Sequence, residues 1–341
     1  MLEQFLAWYN GLTDSLWGSL LLFAVGVILL IKGGDWFVDS AVGIAKRFRV
    51  PEIIIGATVV SIGTTLPEVM VSVTAAINNN GAIAYGNAIG SIICNTSLIA
   101  ALTIAIRPAP VDKKTITTPV LFFFASAAIY MVAAYIFGTF DRWLGIVMLL
   151  FFAVYMATTI YKGFKNPVQL ETEEDEAPNG SFIKDVIVLV ISAALIAVGA
   201  DMLEGSSVSL ATMAGIPAEV VGVTVVALCT SLPELVTAVT ALLKGHGALS
   251  LGNIIGANIF NLVLVSGAAV TISPFAIPEG SKLLGYNTSQ LIEIPLMVAV
   301  MAIMTLPALF KGKLRRWQGI ALLSIYVAFV AMQVLIALKI V

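Results

Sequence analysis

The chain is poor in charged residues. Of its 341 residues, 11% are Asp, Glu, Lys or Arg, and the formal net charge is −2. Soluble domains carry about 25% charged residues, so this composition argues against a soluble globular protein. Acidic and basic counts nearly cancel, and the sequence has no basic face of the kind that binds nucleic acid.

Residues for metal and thiol chemistry are also scarce. The chain has one histidine, His246, and two cysteines, Cys94 and Cys229. Neither cysteine belongs to a CxxC or Cys/His metal spacing, and both lie in apolar runs, where small packing residues are the ordinary interpretation. Since there is no histidine cluster, no Ser/His or Cys/His pairing and no phosphate-binding loop, the sequence predicts neither an enzyme nor a bound cofactor.

Long apolar stretches dominate what remains. The chain is 59% hydrophobic with a mean hydropathy of +1.01. A membrane-spanning helix needs ~20 consecutive apolar residues. Ten stretches meet that requirement, at roughly 16–45, 51–77, 82–106, 115–137, 141–162, 183–213, 217–243, 247–273, 286–309 and 315–339. The sequence therefore predicts an all-α integral membrane protein with ten transmembrane helices in the lipid bilayer.

Basic residues predict how the spans are oriented. Lysines and arginines gather in the loops that join an odd span to the next even span, for example Lys46, Arg47, Lys113, Lys114, Lys313 and Arg315. Cytoplasmic loops carry an excess of Lys and Arg, so we expect these loops in the cytoplasm of a cell-membrane protein and both termini on the other side. The acidic stretch QLETEEDEAPNG (169–180) predicts a solvated linker between the halves.

The second half of the chain repeats the first at a constant offset of 166 residues. No gap is needed over more than sixty residues, which indicates a duplication. The predicted division is a first repeat at 1–163, a linker at 164–182 and a second repeat at 183–341, with motif regions at 56–100 and 222–266. Because each repeat has an odd number of spans, the two cross the membrane in opposite senses. Inverted repeats are typical of transporters with a site near the midplane.

Two glutamates stand deep in matching spans, Glu68 in the second and Glu234 in the seventh. A charge at the bilayer centre costs at least ~2.5–3.5 kcal/mol, so a cation or a proton is expected to join them. Pro67 and Pro233 remove backbone donors and free carbonyl groups one turn earlier. Carboxylate, carbonyl, hydroxyl and amide oxygens together suit hard ions such as Ca²⁺, Na⁺ or Mg²⁺, or protons.

These motifs resemble a known family. GTTLPE (63–68) with GNAIGSIICN (86–95), repeated as CTSLPE (229–234) with GNIIGANIFN (252–261), is similar to the two alpha-repeats of the cation/calcium exchanger (CaCA) superfamily. The closest likeness is to prokaryotic sodium/calcium antiporters. It covers the repeat regions and the ten-span layout and is weak over spans 4, 5, 9 and 10.

The resemblance implies an antiporter in which Na⁺ and Ca²⁺ compete for one central site, with access switched by sliding of the long spans 1 and 6. The sequence leaves the oligomeric state open, and we expect the monomer to be functional. Calcium would be held by the Glu68 and Glu234 carboxylates and the Thr64 and Thr230 carbonyls. Other candidates are the sodium ligands Ser61, Thr65, Ser91, Ala227 (through its carbonyl) and Ser231, and the residues beside the central position, Asn95 and Asn261.

The chain departs from the family pattern at four positions. Asn261 stands where some relatives have an aspartate, and Ala257 stands where a serine hydroxyl would help to hold sodium. Ile92 and Cys229 replace the usual asparagine and glycine. Two carboxylates balance one Ca²⁺ with no third acid left over, so we expect fewer sodium ions per calcium, or protons in their place.

Three other functions are compatible with parts of this pattern. A proton/calcium antiporter could use the same two glutamates, and calcium uptake driven by a sodium or a pH gradient alone separates the two. A cation channel would lack saturable counterflow. A membrane enzyme has the least support, for want of a catalytic grouping.

Overall fold

The computed structural model describes residues 11–13, 15–108, 110–165, 181–215, 227–278, 282–283 and 286–338. In this part of the chain nine helices are long and apolar enough to span a membrane. They are α1 Leu16–Phe48, α2 Glu52–Ile77, α3 Gly81–Ile106, α4 Lys113–Phe137, α5 Arg142–Lys165, α6 Phe182–Met213, α8 Gly247–Ile272, α9 Ser289–Lys311 and α10 Arg316–Ile336, and α7 is the shorter apolar helix Leu232–Leu243. The predicted all-α, membrane-spanning fold is confirmed.

The seventh predicted span is the exception to this agreement. Its first ten positions, 217–226, lie outside the described residues, and the rest consists of the helical turn Ala227–Thr230 followed by α7. A helix break separates the two pieces at Ser231 (φ −94°, ψ 10°), because Pro233 occupies the first turn of α7 and cannot donate a backbone hydrogen bond. The arrangement of ten spans in two inverted repeats therefore stays a prediction.

The two longest helices, α1 and α6, pack along each other as a pair. Their backbones approach closely at glycines: a Cβ atom on Gly26 would lie 2.9 Å from the Gly199 carbonyl oxygen, and one on Gly199 would lie 3.0 Å from the Gly26 oxygen. An ion pair of 3.0 Å between Arg47 and Asp185 joins the end of α1 to the start of α6. Small residues permit such close helix contacts in membranes, so α1 and α6 form one unit.

The loops that join odd to even helices meet on one face of the bundle. His246, after α7, pairs with Glu52 at the start of α2 at 2.8 Å, and Pro110 forms a β-bridge with Lys313. A cavity of about 680 Å³ between these loops is lined by Glu52, Asp112, Lys114, Lys162 and Gly247, among others. Asp112 caps the N-terminus of α4 by accepting a hydrogen bond from the Lys114 backbone N–H, and the hydrogen bond from Thr115 lowers the pKa of its carboxyl group. The basic loops predicted to share one side of the membrane thus come together.

The opposite face carries short strands. Strand β1 (Thr139–Phe140), between α4 and α5, pairs antiparallel with β2 (Phe275–Ala276), which follows α8. A second pair, β3 (Lys282–Leu283) and β4 (Tyr286–Asn287), precedes α9. The β1–β2 pair joins the first half of the chain to the second on this face.

Helices α2, α3 and α8 are the most buried of the nine. Close packing of α8 against α2 depends on Gly252 and Gly256, since a Cβ atom on Gly252 would lie 2.2 Å from the Ile53 carbonyl oxygen and one on Gly256 2.3 Å from the Ser61 hydroxyl. Each of the three helices contains a π-helical stretch, at Gly56–Val60, Asn95–Ala100 and Asn261–Val265 respectively. Their meeting point is where the candidate site lies.

Candidate ion-binding site

The structure brings the two glutamates of the repeated motif together. Glu68 on α2 and Glu234 on α7 are both fully buried, and their carboxyl groups are close enough to interact electrostatically. Thr65, one turn before Glu68, donates its hydroxyl hydrogen to Glu234 Oε1 at 3.4 Å. The carboxylates thus come from different halves of the chain, and a side chain of the first half contacts the second.

Several buried polar atoms of the repeated motifs that carry these carboxylates have no hydrogen-bond partner among the described residues. Unpartnered buried atoms in the described part of the chain include both carboxylate oxygens of Glu68, Glu234 Oε2, Ser91 Oγ, both side-chain amide atoms of Asn95, Ser231 Oγ and Asn261 Oδ1. A buried polar group without a hydrogen bond costs about 1–3 kcal/mol. Since nearly all of these atoms are oxygens, the grouping suits a hard cation.

The two asparagines occupy matching positions in the backbone. Asn95 begins the π-helical stretch of α3, and Asn261 begins that of α8. Such stretches inside α-helices occur frequently at functional sites. Asn261 Nδ2 donates to the Ala257 carbonyl oxygen at 3.1 Å, which leaves its amide oxygen as the free group.

Ser61 and Thr64 belong to a neighbouring hydrogen-bond network. Thr64 Oγ1 donates to Asn253 Oδ1 on α8 at 3.2 Å. The single hydroxyl hydrogen of Ser61 has the Gly56 carbonyl oxygen as its nearest acceptor, at 2.8 Å, with Asn253 Oδ1 farther away at 3.2 Å. The hydroxyl of Ser61 is therefore already engaged with protein, and its role as a sodium ligand stays a prediction. Thr230 and Ala227 lie in the helical turn Ala227–Thr230, which packs against α3 and α6; their side chains lie outside what the structure describes.

Comparison with known proteins identifies this arrangement. The sequence profile described as sodium/calcium exchanger protein matches residues 18–161 and 184–335. The chain belongs to the sodium/calcium exchanger protein family. The likeness that the sequence motifs indicated is confirmed.

Relatives of this exchanger chain cover nearly its whole length. It is 32% identical to the sodium/calcium exchanger MaX1 of Methanosarcina acetivorans, over 91% of this chain and 97% of the relative. It is also 32% identical to the putative antiporter CaxA of Alkalimonas amylolytica, over 92% and 96%. A solved structure of the sodium-calcium exchanger NCX_Mj, soaked with Na⁺ and Sr²⁺, superposes with a TM-score of 0.77 at 31% identity and covers 92% of this chain and 98% of that one.

Two asparagines of this exchanger chain were missed by the sequence analysis. Asn87 donates through Nδ2 to the Glu68 carbonyl oxygen at 3.1 Å and to Ser72 Oγ at 2.9 Å. Asn253, its equivalent in the second repeat, accepts the hydrogen bond from α2 described above. Repetition of the Gly-Asn pair at 86–87 and 252–253 was the signal that could have found them. Both asparagines fix the backbone and side chains next to the glutamates.

A third asparagine braces the exchanger core away from the carboxylates. Asn258 Nδ2 donates to Thr96 Oγ1 at 2.7 Å and to the Met301 sulfur at 3.2 Å, which connects α8 to α3 and α9. Its equivalent in the first repeat is Ile92, which is fully buried. Because Ile92 stands where the family usually has asparagine, the first repeat lacks the hydrogen bonds that Asn258 makes in the second.

The α1–α6 unit lies directly on the repeated motif. A narrow space between this unit and the core is lined by Phe37, Gly63, Thr64, Pro67, Ala193, Ile196, Ala197 and Pro233. The Phe37 ring occupies room that a side chain at position 63 would need, since a Cβ atom on Gly63 would lie 2.9 Å from the ring. Movement of α1 and α6 would therefore change the surroundings of the threonines and glutamates.

Proposed function

We propose that this chain is a secondary active antiporter that exchanges Na⁺ for Ca²⁺ at one central site. The observation that carries the proposal is the group of buried, unpartnered oxygens around Glu68 and Glu234. When both carboxylates are ionised their two negative charges are balanced by one Ca²⁺ or by two Na⁺. Binding of one Ca²⁺ or of two Na⁺ offsets the free-energy cost of burying the two carboxylates. Binding Ca²⁺ and Na⁺ there together would leave excess positive charge, so the two kinds of ion compete for the site.

We assign a role to each residue of the site according to the oxygen atom that it offers to an ion. Both glutamates hold Ca²⁺, together with the carbonyl groups of Thr64 and Thr230. The sodium positions are served by Ser61, Thr65, Ser91, the Ala227 carbonyl and Ser231, with Asn95 and Asn261 beside the central position. Thr65 has a second task, because its hydrogen bond to Glu234 Oε1 holds that carboxylate toward the first repeat when no ion does so.

Alternating access is proposed to come from the α1–α6 unit. Glycine contacts and the Arg47–Asp185 ion pair hold its two helices to each other. On the face of the odd-to-even loops, Lys244 contacts Asp39 at 2.8 Å and Asp35 at 3.5 Å, so it ties α1 to the core in this conformation. We place this face in the cytoplasm of a cell-membrane protein that works as a monomer, with Na⁺ entry driving Ca²⁺ out.

Calcium uptake into sealed vesicles tests the coupling ion. We expect uptake when an outward sodium gradient is the only driving force, because two Na⁺ can replace Ca²⁺ between the glutamates. A pH gradient alone, at equal sodium on both sides, is expected to drive little uptake. Uptake driven by the pH gradient but not by the sodium gradient would contradict sodium coupling and favour a proton/calcium antiporter. The adjacent carboxylates also suit that function, because neither oxygen of Glu68 has a hydrogen-bond partner among the described residues and one could carry a proton.

The charge moved per calcium tests the stoichiometry. Among the described residues no third carboxylate joins the two buried glutamates of the candidate site, and amides stand at Asn95 and Asn261, so we expect fewer than three sodium ions per calcium. Current and radiolabelled calcium flux measured on the same vesicles give the ratio. Asn261→Asp adds a third carboxylate and is expected to raise the number of sodium ions exchanged per calcium. A parent current equal to that of a three-for-one exchanger would refute the reduced stoichiometry.

A further inference from the structure

The three-residue loop between α7 and α8 contacts two separate parts of the molecule. Lys244 at its start contacts α1, where its Nζ atom lies 2.8 Å from Asp39 Oδ1 and donates to the Asp35 carbonyl oxygen at 3.0 Å. His246 at its end contacts α2, where its Nδ1 atom lies 2.8 Å from Glu52 Oε1. A single short loop therefore connects the α1–α6 unit on one side to the core on the other.

Backbone hydrogen bonds make this loop a compact cap on the end of α7. Gly245 has a φ of 89°, which glycine adopts without strain. Its N–H donates to the Leu242 carbonyl oxygen at 3.1 Å, and the His246 N–H donates to the Ala241 carbonyl oxygen at 2.7 Å. Such caps fix the path of the chain after a helix, so one stiff piece of backbone holds the side chains of both Lys244 and His246.

Glu52 is the charged group in direct contact with His246. Both side chains are 26% exposed, so protons can reach them while water only partly screens their interaction. His246 takes part in no other ion pair among the described residues. The other charged groups that face the loop or the cavity beside it are Asp35 and Asp39 on α1, Lys244 in the loop itself, Asp112 and Lys114 on α4, and Lys162 on α5. Protonation of the imidazole therefore acts first on its contact with Glu52.

We propose that His246 is a proton-binding site that regulates exchange from the face of the odd-to-even loops. Histidine is the side chain that ordinarily changes its charge between about pH 5 and 8, and His246 is the only histidine in the chain. Protonation adds the attraction between an imidazolium and the Glu52 carboxylate to the existing hydrogen bond. The loop is then held more firmly against α2, and Lys244 is held within reach of Asp35 and Asp39.

The effect on transport rests on the alternating access proposed above. The α1–α6 unit can move against the core on this face only after Lys244 releases α1. A more firmly held loop makes that release rarer, so exchange slows as the pH on this face falls. We expect the rate to change by about fivefold, which corresponds to about 1 kcal/mol and to the upper end of what partly exposed ion pairs contribute.

Calcium flux at saturating Ca²⁺ tests this site. In sealed vesicles of one orientation, the pH on the face of the odd-to-even loops alone is lowered from about 8 to about 5.5, the range in which a histidine is titrated. We expect the maximal flux of the parent to fall by about fivefold, whereas His246→Gln and Glu52→Gln keep the flux that the parent has at high pH. Lys113→Gln, which removes another lysine from this face, should show the same fall as the parent.

Saturating calcium separates this site from the central one. Protons that compete with calcium at Glu68 and Glu234 raise the calcium concentration needed for half of the maximal flux, whereas a more firmly held loop lowers the maximal flux itself. Lys244→Gln removes the contact with α1, so adding His246→Gln to it should have no further effect. An equal fall in His246→Gln, a fall that saturating calcium removes, or a fall produced only from the opposite face would overturn the proposal.

A distance measurement on the full chain tests the same site without transport. Ile183 at the start of α6 and Phe310 at the end of α9 are exposed, and both native cysteines are buried, so spin labels can be attached at Ile183→Cys and Phe310→Cys. Lowering the pH should narrow the distribution of distances between the labels, and adding His246→Gln should abolish that narrowing. No narrowing, or equal narrowing with and without His246→Gln, would contradict the proton site. Absence of calcium flux at high pH would instead contradict the proposed function, while the labels still report on the loop.

Discussion

Glu68→Gln and Glu234→Gln are each expected to reduce sodium-driven calcium flux by about 100-fold or more. Each variant keeps the side-chain shape but removes one of the two negative charges that face the transported ion. At an effective dielectric constant of about 20, two unit charges about 4 Å apart interact with about 4 kcal/mol, and a divalent ion doubles that figure. Since every 1.4 kcal/mol is a factor of ten, half of that loss already exceeds 100-fold. Radiolabelled calcium uptake into vesicles with a sodium gradient measures it.

Asp141→Asn is the matched control for this experiment. It removes one carboxylate at an exposed position between β1 and α5, outside the central site, and should transport as the parent does. The double variant should transport no more than either single variant, since both carboxylates act on the same ion. Full calcium turnover after both glutamates are neutralised would disprove the assignment of the central site.

Gly252→Ala is expected to destabilise the protein by about 3 kcal/mol or more. The added Cβ atom would lie 2.2 Å from the Ile53 carbonyl oxygen and 2.9 Å from two further backbone atoms of that residue. Overpacking a tight contact typically costs about 1–3 kcal/mol, occasionally more, and here the obstacle is backbone, which cannot rotate away. Separation of α8 from α2 would also break the hydrogen bond from Thr64 to Asn253. The melting temperature in detergent and the calcium flux should therefore fall together.

A glycine at the equivalent position of the first repeat provides the control for Gly252→Ala. Gly86 occupies the equivalent position in the first half, is exposed, and has no atom of the described residues within 4 Å of an added Cβ. Gly86→Ala meets no obstacle, and Ala is favoured over Gly in a helix interior by about 0.5–1 kcal/mol, so this variant should be as stable as the parent or slightly more stable. Equal melting temperatures for the two variants would contradict the close packing of α8 on α2.

The sequence was sufficient to predict nine of the spans and the paired glutamates. Apolar length alone identifies nine of the helices, because the bilayer requires ~20 apolar residues per crossing. Glu68 and Glu234 could be found because a carboxylate within such a run is rare and because both occur at the same place in a repeat.

The local differences between the halves could not be predicted. Pro67 lies inside a continuous helix, whereas Pro233 begins a new one after the break at Ser231. Asn87 contacts the Glu68 backbone and the Ser72 side chain in its own half, whereas Asn253 contacts side chains of the other half. Equivalent residues have the same chemistry in each case, and their different contacts arise from tertiary neighbours that the repeat pattern does not encode.

Strand pairing and bridging loops have a consequence for leakage. The β1–β2 pair fastens the two halves of the core on one face, and the Pro110–Lys313 bridge and the Glu52–His246 pair do so on the other. Under the proposed alternating access, the α1–α6 unit would move against a core that these described contacts hold together on both faces. Opening one side would then leave the other side of the core closed, so ions would not leak through the membrane.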